Sequence, residues 1–490
     1  MKTELLATVR DFLIKPLPNH IGGQPSMTAT AEVVNPSDGS PLAQVAMAGA
    51  MEVDLAVTAA ANAFPAWSAL SPAGRAKLLH RFADALEQHS AELAQLESLD
   101  VGKPVAAAES FDIPFGIECI RYFADLSTRA QYSVPLKVKG YEARTWRVPY
   151  GVCGFIFPWN FPFTLLCWGA APALAAGNTA VVKPSAVTPL TTLYAAQIAL
   201  EAGLPPGVLN VVAGTGSVAG VALSSNPRIK RISFTGSPEV GRMIGEISGR
   251  NLVPCKLELG GKGAAVVFDD VDLDSTATQL AAAVTMNTGQ VCCTATRWVI
   301  QDKIYDRFVC KVTEVLKQPK IGPGLDRDTQ MGPLVNQSQR EHVLGYLDHG
   351  KQTGARAILD GGKTAPAGSE NGFYVLPALL EGPDSNVCCR EEIFGPCAYL
   401  LRFKDEESAI SKVNELAYGL GNSVWTADLA RANRVAERLV AGNNWINAHN
   451  IFAYGLPYGG VNLSGLGGGV NSPETFYDYL RPQTIARPLN

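Results

Sequence analysis

The chain has 490 residues, 47% hydrophobic and 18% charged; this excludes a disordered polymer and exceeds what one ordinary core organises, so two domains with an appendage are expected. A formal net charge of −4 sets up no general field for nucleic acid or anionic lipid, and no run of five or more like charges supplies a local one. Neither nucleic acid nor membrane is an expected partner.

In chain order, the opening MKTELLATVRDFLIKPLPNH spreads Lys2, Glu4, Arg10, Asp11 and Lys15 among its apolar residues, unlike the unbroken apolar stretch of a secretory signal. Residues Asp54 to Ala69 and Pro72 to Leu99 read as helices, the second opened by Ser71 as N-cap with Pro72 at its first position. Ser127 to Trp146 reads as extended, alternating structure. From Gly151 short apolar runs alternate with helical stretches: GVCGFIF, a helix through TLLCWGAAPALA, TAVVK, a helix from Thr188 to Ala202, VLNVVAG and RISFTG. That rhythm is the pattern of βαβ units on a parallel sheet and predicts an α/β, dinucleotide-type fold. The apolar run Phe161 to Ala176 is too short and too interrupted to span a membrane. A second strand-helix series runs from GAAVVF to about Trp445, and the tail ETFYDYLRPQTIARPL reads as another exposed strand. Unpaired strands of this kind invite pairing between subunits.

Among the ten cysteines, the adjacent pairs Cys292/Cys293 and Cys388/Cys389 suit neither a secreted disulfide framework nor zinc-ligand spacing. A reducing cytoplasm is expected. His20, His80, His89, His342, His349 and His449 are scattered, so no metal site is expected.

Several segments carry chemistry. In FIFPWNFPF, Asn160 follows an apolar strand between two prolines, where a fixed amide can stabilise charge developing on oxygen; an ordinary cap or turn is the plainer alternative. In RISFTGSPEVG, Ser237 and Pro238 open a helix whose start can take a phosphate or serve simply as a cap. Lys183 ends the strand TAVVK at the same sheet edge, either as a cofactor donor or as a solvated lysine. Cys292, in TMNTGQVCCTATRW, is a candidate nucleophile or a buried thiol, and Glu258, in KLELGGKGAAVVF, a candidate base or an ion-paired glutamate. Their joint occurrence with Asn160 favours the chemical reading.

With PWNFP at 158–162, KPS at 183–185, FTGS at 234–237, ELGGK at 258–262, GQVC at 289–292, EEIFGP at 391–396 and PYGGVNLSGLG at 457–467, the chain resembles the aldehyde dehydrogenase superfamily over nearly its whole length. The resemblance implies two Rossmann-like parallel-sheet domains plus a small β oligomerisation element. The implied division is 1–125 and 147–257 for NAD(P) binding, 258–445 for the catalytic domain, 126–146 and 473–490 for oligomerisation as a homodimer or homotetramer, and 446–472 as a return segment lining the substrate tunnel. By matching position, Cys292 is implied to be the nucleophile and Glu258 the general base that makes water the acyl acceptor. Asn160 and the Cys292 N–H are implied to hold the oxyanion. Phe157, Trp159, Lys183, Ser185, Gly214, Phe234, Thr235, Gly236, Ser237, Glu392 and Phe394 fall on cofactor positions.

The implied activity is oxidation of an aldehyde to a carboxylic acid through a Cys292 thioester. Positions matching the family's tunnel are Phe111, Asp112, Phe115, Phe161, Leu165, Trp168, Met286, Val291, Cys293, Asn450 and Phe452. Aromatics dominate and no Lys or Arg appears among them, which disfavours anionic semialdehydes. An uncharged aliphatic or aromatic aldehyde is the first expectation. A betaine aldehyde or aminoaldehyde is the alternative, since GQVCCTATR and FDDVDLD are similar to that branch and aromatic rings suit cations, although its Trp-Asp pair is replaced by Ser110-Phe111. A catalytically silent structural protein of the same fold is the remaining reading. The chain departs from the family pattern at Ala186, where a ribose-binding glutamate is common. NAD is the expected cofactor, with NADP left open by that alanine. Gly169, Gly468 and Gly469 stand where Lys and Arg-Glu are often found, implying that Glu258 discharges its proton through backbone and water. Val101 in LDVGKP replaces a common Asn, without an assigned consequence.

Overall fold

The computed structural model describes residues 3–489. Met1, Lys2 and Asn490, at the ends of the expected first and last segments, lie outside the described residues. Two α/β sheets dominate. The first has eight strands among the described residues, with Cys255–Glu258, Ile229–Thr235, Val152–Ile156, Thr179–Lys183 and Leu209–Val211 side by side and parallel at its centre. The strand Val152–Ile156 is buried at all five positions, as a parallel strand covered by helices on both faces must be. The second sheet has seven strands, its central members being Ala295–Gln301, Gly263–Val267, Gly421–Trp425 and Cys397–Phe403. A third sheet pairs Leu480–Pro488, Tyr141–Pro149 and Ser133–Val138 antiparallel, joining the C-terminal tail to the hairpin that precedes Gly151.

Four expectations about elements need correction. The first predicted helix begins a turn earlier, at Ala50, because the Glu52 carboxylate accepts the Gly49 N–H at 2.8 Å and closes the N-terminus there. The segment expected as one helix from Pro72 to Leu99 is two, Pro72–Gln88 and Ser90–Val101, broken at His89 without a Gly or Pro to announce it. The Ser71 cap is as expected, accepting the Gly74 N–H at 3.1 Å. Ser127 to Arg129 finish the helix Ile113–Arg129 instead of starting the extended segment, and the tail carries a short helix, Pro473–Tyr477, before its strand. Among the described residues no helix is long and apolar enough to cross a membrane.

Candidate active site

At the centre of the first sheet the chain order reverses: Val152–Ile156 is followed by neighbours on one side, and Ile229–Thr235 then returns to its other side. Ligands of open α/β sheets sit beyond the carboxyl ends of strands at such a reversal. Here those ends lead into Phe157–Asn160 and Gly236–Ser237, and Glu258 ends the next strand, paired in register with Thr235. Cys292 comes from the other sheet, in the loop between the helix Leu273–Thr285 and the strand Ala295–Gln301. The two halves approach closely: a Cβ at Gly261 would lie 2.2 Å from the Cys292 carbonyl oxygen. The ELGG glycines therefore let the loops of two domains meet with backbone against backbone.

The Cys292 loop is held in a demanding conformation. Asn287, Thr288 and Gly289 all have positive φ (47°, 56° and 72°), and a Cβ on Gly289 would meet the Gly395 carbonyl carbon at 2.1 Å. Two successive non-glycine residues in the left-handed region persist only where the surroundings over-determine them. The determinants are side-chain amides: Gln290 Nε2 donates to the Asn287 carbonyl at 2.9 Å, and Gln290 Oε1 accepts the Val335 N–H at 2.9 Å. Asn287 Nδ2 donates to the Asn160 carbonyl at 3.0 Å, and Asn160 Nδ2 donates to the Gln290 carbonyl at 3.1 Å. The expected oxyanion amide is thus tied directly to the nucleophile loop.

Cys292 Sγ lies 3.4 Å from Tyr458 Oη. Its thiol is lowered to about 7, chiefly by the neighbouring Cys293 side chain, then by Tyr458 and the backbone N–H groups of Cys292 and Cys293, against the opposing effect of burial. Burial, with Cys292 beside it, holds Cys293 well above the usual thiol range, so Cys293 stays a neutral thiol. Behind it, His449 Nε2 lies 2.9 Å from the Cys293 carbonyl and Nδ1 lies 2.9 Å from Ser423 Oγ. Burial lowers that imidazole to about 4, and a neutral ring donating from Nε2 and accepting at Nδ1 satisfies both contacts.

Glu258 is the opposite case. Neither carboxylate oxygen has a formed hydrogen bond, the Gly460 N–H giving only a weak pull. Burial holds the carboxyl well above the usual carboxylate range; Lys256 opposes the rise and Cys292 adds to it. Once ionised, a carboxyl raised in this way is a stronger base than an exposed carboxylate.

Of the expected cofactor residues, Trp159, Thr235, Gly236, Ser237, Glu392 and Phe394 line one groove with Pro158, Asn160, Leu259, Gly260, Gln339 and Cys292. Ser237 caps the helix Pro238–Asn251, accepting the Val240 N–H at 3.4 Å. Glu392 accepts the Gly261 N–H at 2.9 Å, and burial pushes its carboxyl to about 8. Phe394 meets Trp159 edge-on at 5.3 Å. Lys183 lies farther along, donating to the carbonyls of Pro184 and Gly214 at 2.6 and 3.2 Å; without a carboxylate, burial lowers it to about 8. Ser185 Oγ accepts the Val187 N–H. The rings of Phe157 and Phe234 pack in the core, the Phe234 ring directly under Gly236, so these two meet the groove through backbone.

A second cavity reaches Cys292 from the other side, lined by Phe111, Phe161, Leu165, Trp168, Val291 and Phe452 together with Asn160, Thr164, Thr235 and Tyr458. Phe161, Leu165 and Trp168 recur at helical spacing on one face of the helix Pro162–Ala176 and the residue before it. Trp168 and Tyr458 lie 5.4 Å apart, as do Phe452 and Tyr458. Phe115 stacks behind Phe111 at 5.1 Å, while Met286 packs beside the cluster and accepts from Asn450 Nδ2 through sulfur. Cys293 turns its thiol to Asn450 Oδ1 at 3.3 Å. Asp112 is not a tunnel residue: its carboxylate is buried against Lys103 at 2.6 Å. A lysine does stand behind the wall after all, since the Lys103 ammonium lies 4.2 Å over the Phe161 ring and is paired with Glu97 and Asp112.

Sequence reading missed Tyr458, His449, Asn287, Gln290, Leu259, Gly260, Gln339 and Lys256. Leu259 and Gly260 directly follow Glu258, so position alone signals them; Gln339, on the helix Gln337–Gln352, has no such signal.

The geometry can now be set beside known proteins. Residues 24–485 match the family model described as the aldehyde dehydrogenase family. A mitochondrial aldehyde dehydrogenase of Leishmania tarentolae is 38% identical over 458 residues, 93% of this chain and 91% of its own length. Among solved structures, an NAD+ complex of an aldehyde dehydrogenase from Bacillus cereus superposes with a TM-score of 0.97 at 36% identity, covering 100% of both chains. An indole-3-acetaldehyde dehydrogenase complexed with NAD+ gives 0.94 at 36%, covering 98% of both. With a thiol, a carboxyl and a carboxamide converging where two α/β sheets meet, and similarity running end to end, the chain belongs to the aldehyde dehydrogenase family.

Proposed function

We propose that the protein oxidises an uncharged aliphatic or aromatic aldehyde to its carboxylic acid, with NAD as acceptor. The observation that carries this reading is the opposed tuning of Cys292 and Glu258 at one crevice, a thiol lowered to about 7 beside a carboxyl held high. The cofactor groove suits a dinucleotide because a capped helix start and a buried lysine without a carboxylate, Lys183, lie at the carboxyl ends of the first sheet, with the Glu392 carboxyl facing them from the second. When bound, the nicotinamide supplies the hydride acceptor. The protein's own groups do the rest. The Cys292 thiolate adds to the aldehyde carbon, and the oxyanion takes hydrogen bonds from Asn160 Nδ2 and the Cys292 N–H. Loss of hydride from that carbon leaves a thioester on Cys292. Glu258 takes a proton from water, the water oxygen adds to the thioester carbonyl, and collapse returns the electron pair to Cys292 sulfur as the acid leaves.

The apolar cavity supports the uncharged substrate, since an anionic end would be desolvated among rings. The same ring faces favour a cationic betaine-type aldehyde as second reading. A panel of hexanal, benzaldehyde, betaine aldehyde and succinic semialdehyde, followed by absorbance of the reduced nicotinamide with NAD and with NADP, separates them. Turnover of betaine aldehyde far above hexanal and benzaldehyde would reverse the order, and an NADP preference beyond about tenfold in kcat/KM would reverse the cofactor assignment. Silence across the panel, with no labelling of Cys292, would support the structural reading. We also propose self-association through the three-stranded sheet, whose Leu136, Val138, Trp146 and Ile485 are exposed. A monomer by light scattering would refute it. Cytoplasmic residence remains the reading of the cysteine pattern, with all ten thiols free.

A further inference from the structure

We propose that Lys256 is a positioning residue for hydrolysis of the thioester: its buried ammonium, anchored behind Glu258 by the Gly469 carbonyl and Asp478, sets the charge state from which Glu258 activates water. The inference rests on Glu258 being the general base.

Lys256 and Glu258 are two residues apart on the strand Cys255–Glu258, so both side chains leave the same face, while Leu257 packs into the cluster on the other. Lys256 is 1% exposed, an extreme burial for a lysine. Its Nζ donates to the Gly469 carbonyl at 2.7 Å and lies 3.7 Å from Asp478 Oδ2 and 5.4 Å from the centre of the Tyr479 ring. The charged groups facing it are Arg231 from the adjacent strand, Asp478 from the turn after Pro473–Tyr477, and Glu258. Arg231 is itself 3.9 Å from Asp478, so two buried cations share one carboxylate. One positive charge is left unbalanced, and Glu258 is the carboxyl beside it that lacks hydrogen bonds. Burial has lowered Lys256 to about 8, so the ammonium is present at neutral pH and fades above that value.

No side chain from the glycine positions can take this part. A Cβ at Gly169 would lie 2.4 Å from Phe157 Cζ, at Gly468 2.6 Å from Asp478 Oδ2, and at Gly469 2.3 Å from the Tyr458 carbonyl. The expectation that Glu258 discharges its proton through backbone and water concerns the later step; the cation on its own strand acts on its charge state beforehand. The ammonium favours the carboxylate, which accepts the proton of the attacking water; after the C–S bond breaks, that proton passes from Glu258 to solvent.

The test uses the full-length protein with NAD and an aldehyde it turns over. In Lys256→Met, the burst of reduced cofactor from the first turnover should persist, while steady-state kcat at pH 7 falls at least about tenfold and its rising limb moves up by at least about one pH unit. The gap should narrow above about pH 8, and Lys256→Arg should restore the profile. A Lys256→Met profile superimposed on the wild type would overturn the proposal. Glu258→Gln is measured separately: full turnover there removes the base assignment itself, whatever Lys256→Met does. Should the lysine variants fail to fold, infrared titration of the wild type, with Glu258→Gln as reference, decides. Conversion of the Glu258 carboxyl band to carboxylate while Lys256 is still charged supports the proposal; a protonated band persisting well beyond pH 8 overturns it.

Discussion

Cys292 and Glu258 face one another across the junction of two sheets, and their surroundings push their proton affinities in opposite directions. Around Cys292 the protein sets the Cys293 side chain, the Tyr458 hydroxyl and two backbone N–H groups. Around Glu258 it supplies burial and no formed hydrogen bond, with one lysine behind. The first group is pushed toward its anion and the second toward its protonated form, a push that Lys256 opposes. The difference teaches that nucleophile and base can be tuned independently in a single crevice: one by neutral dipoles pointing inward, the other by withholding them.

The comparison can be broken most severely at the nucleophile. Cys292→Ala should lower aldehyde oxidation by more than about 10⁴-fold, read from reduced-nicotinamide absorbance, with cofactor binding intact by fluorescence titration. Asn160→Ala removes an oxyanion donor, and kcat/KM should fall about 10²- to 10³-fold with little change in cofactor affinity.

A sharper test titrates the thiol. Because Cys292 is lowered to about 7, its thiolate, and with it the rate of iodoacetamide labelling measured by mass spectrometry, should rise through pH 7 and level above it. Cys293→Ala removes the side chain that lowers that thiol most, so the midpoint should move to higher pH, with labelling at pH 6.5 slowed about tenfold for each unit moved. Tyr458→Phe should act in the same direction and less. The smallest effect is expected at the cofactor groove: Ser237→Ala deletes a helix cap worth about 1 kcal/mol, seen as a small loss of thermal stability and a raised KM for the dinucleotide with kcat nearly unchanged.

Much of this arrangement was legible in the chain. FIFPWNFPF and RISFTGSPEVG each end a buried strand, and the strand rhythm alone places Asn160 and Ser237 at carboxyl ends of a parallel sheet. The cavity face Phe161, Leu165, Trp168 was marked by motif position, and the helix explains why the three share it. What escaped reading depends on contacts between distant segments. Tyr458 reaches Cys292 across 166 positions and Lys256 reaches the Gly469 carbonyl across 213, separations over which no local periodicity carries information. Asp112 was misassigned because position cannot tell whether a carboxylate faces a tunnel or a buried Lys103. The break at His89 was invisible because it arises without a Gly or Pro.

The sequence by itself determined the two parallel-sheet halves and the tail strand, since hydrophobic period is a local property, and its motifs singled out Cys292, Glu258 and Asn160 as candidates. Only the tertiary structure decided the protonation each group would favour. Burial and donor geometry at the thiol exist only once the two sheets meet, and the unbalanced charge at Lys256 and Arg231 only once the tail brings Asp478 to the first sheet.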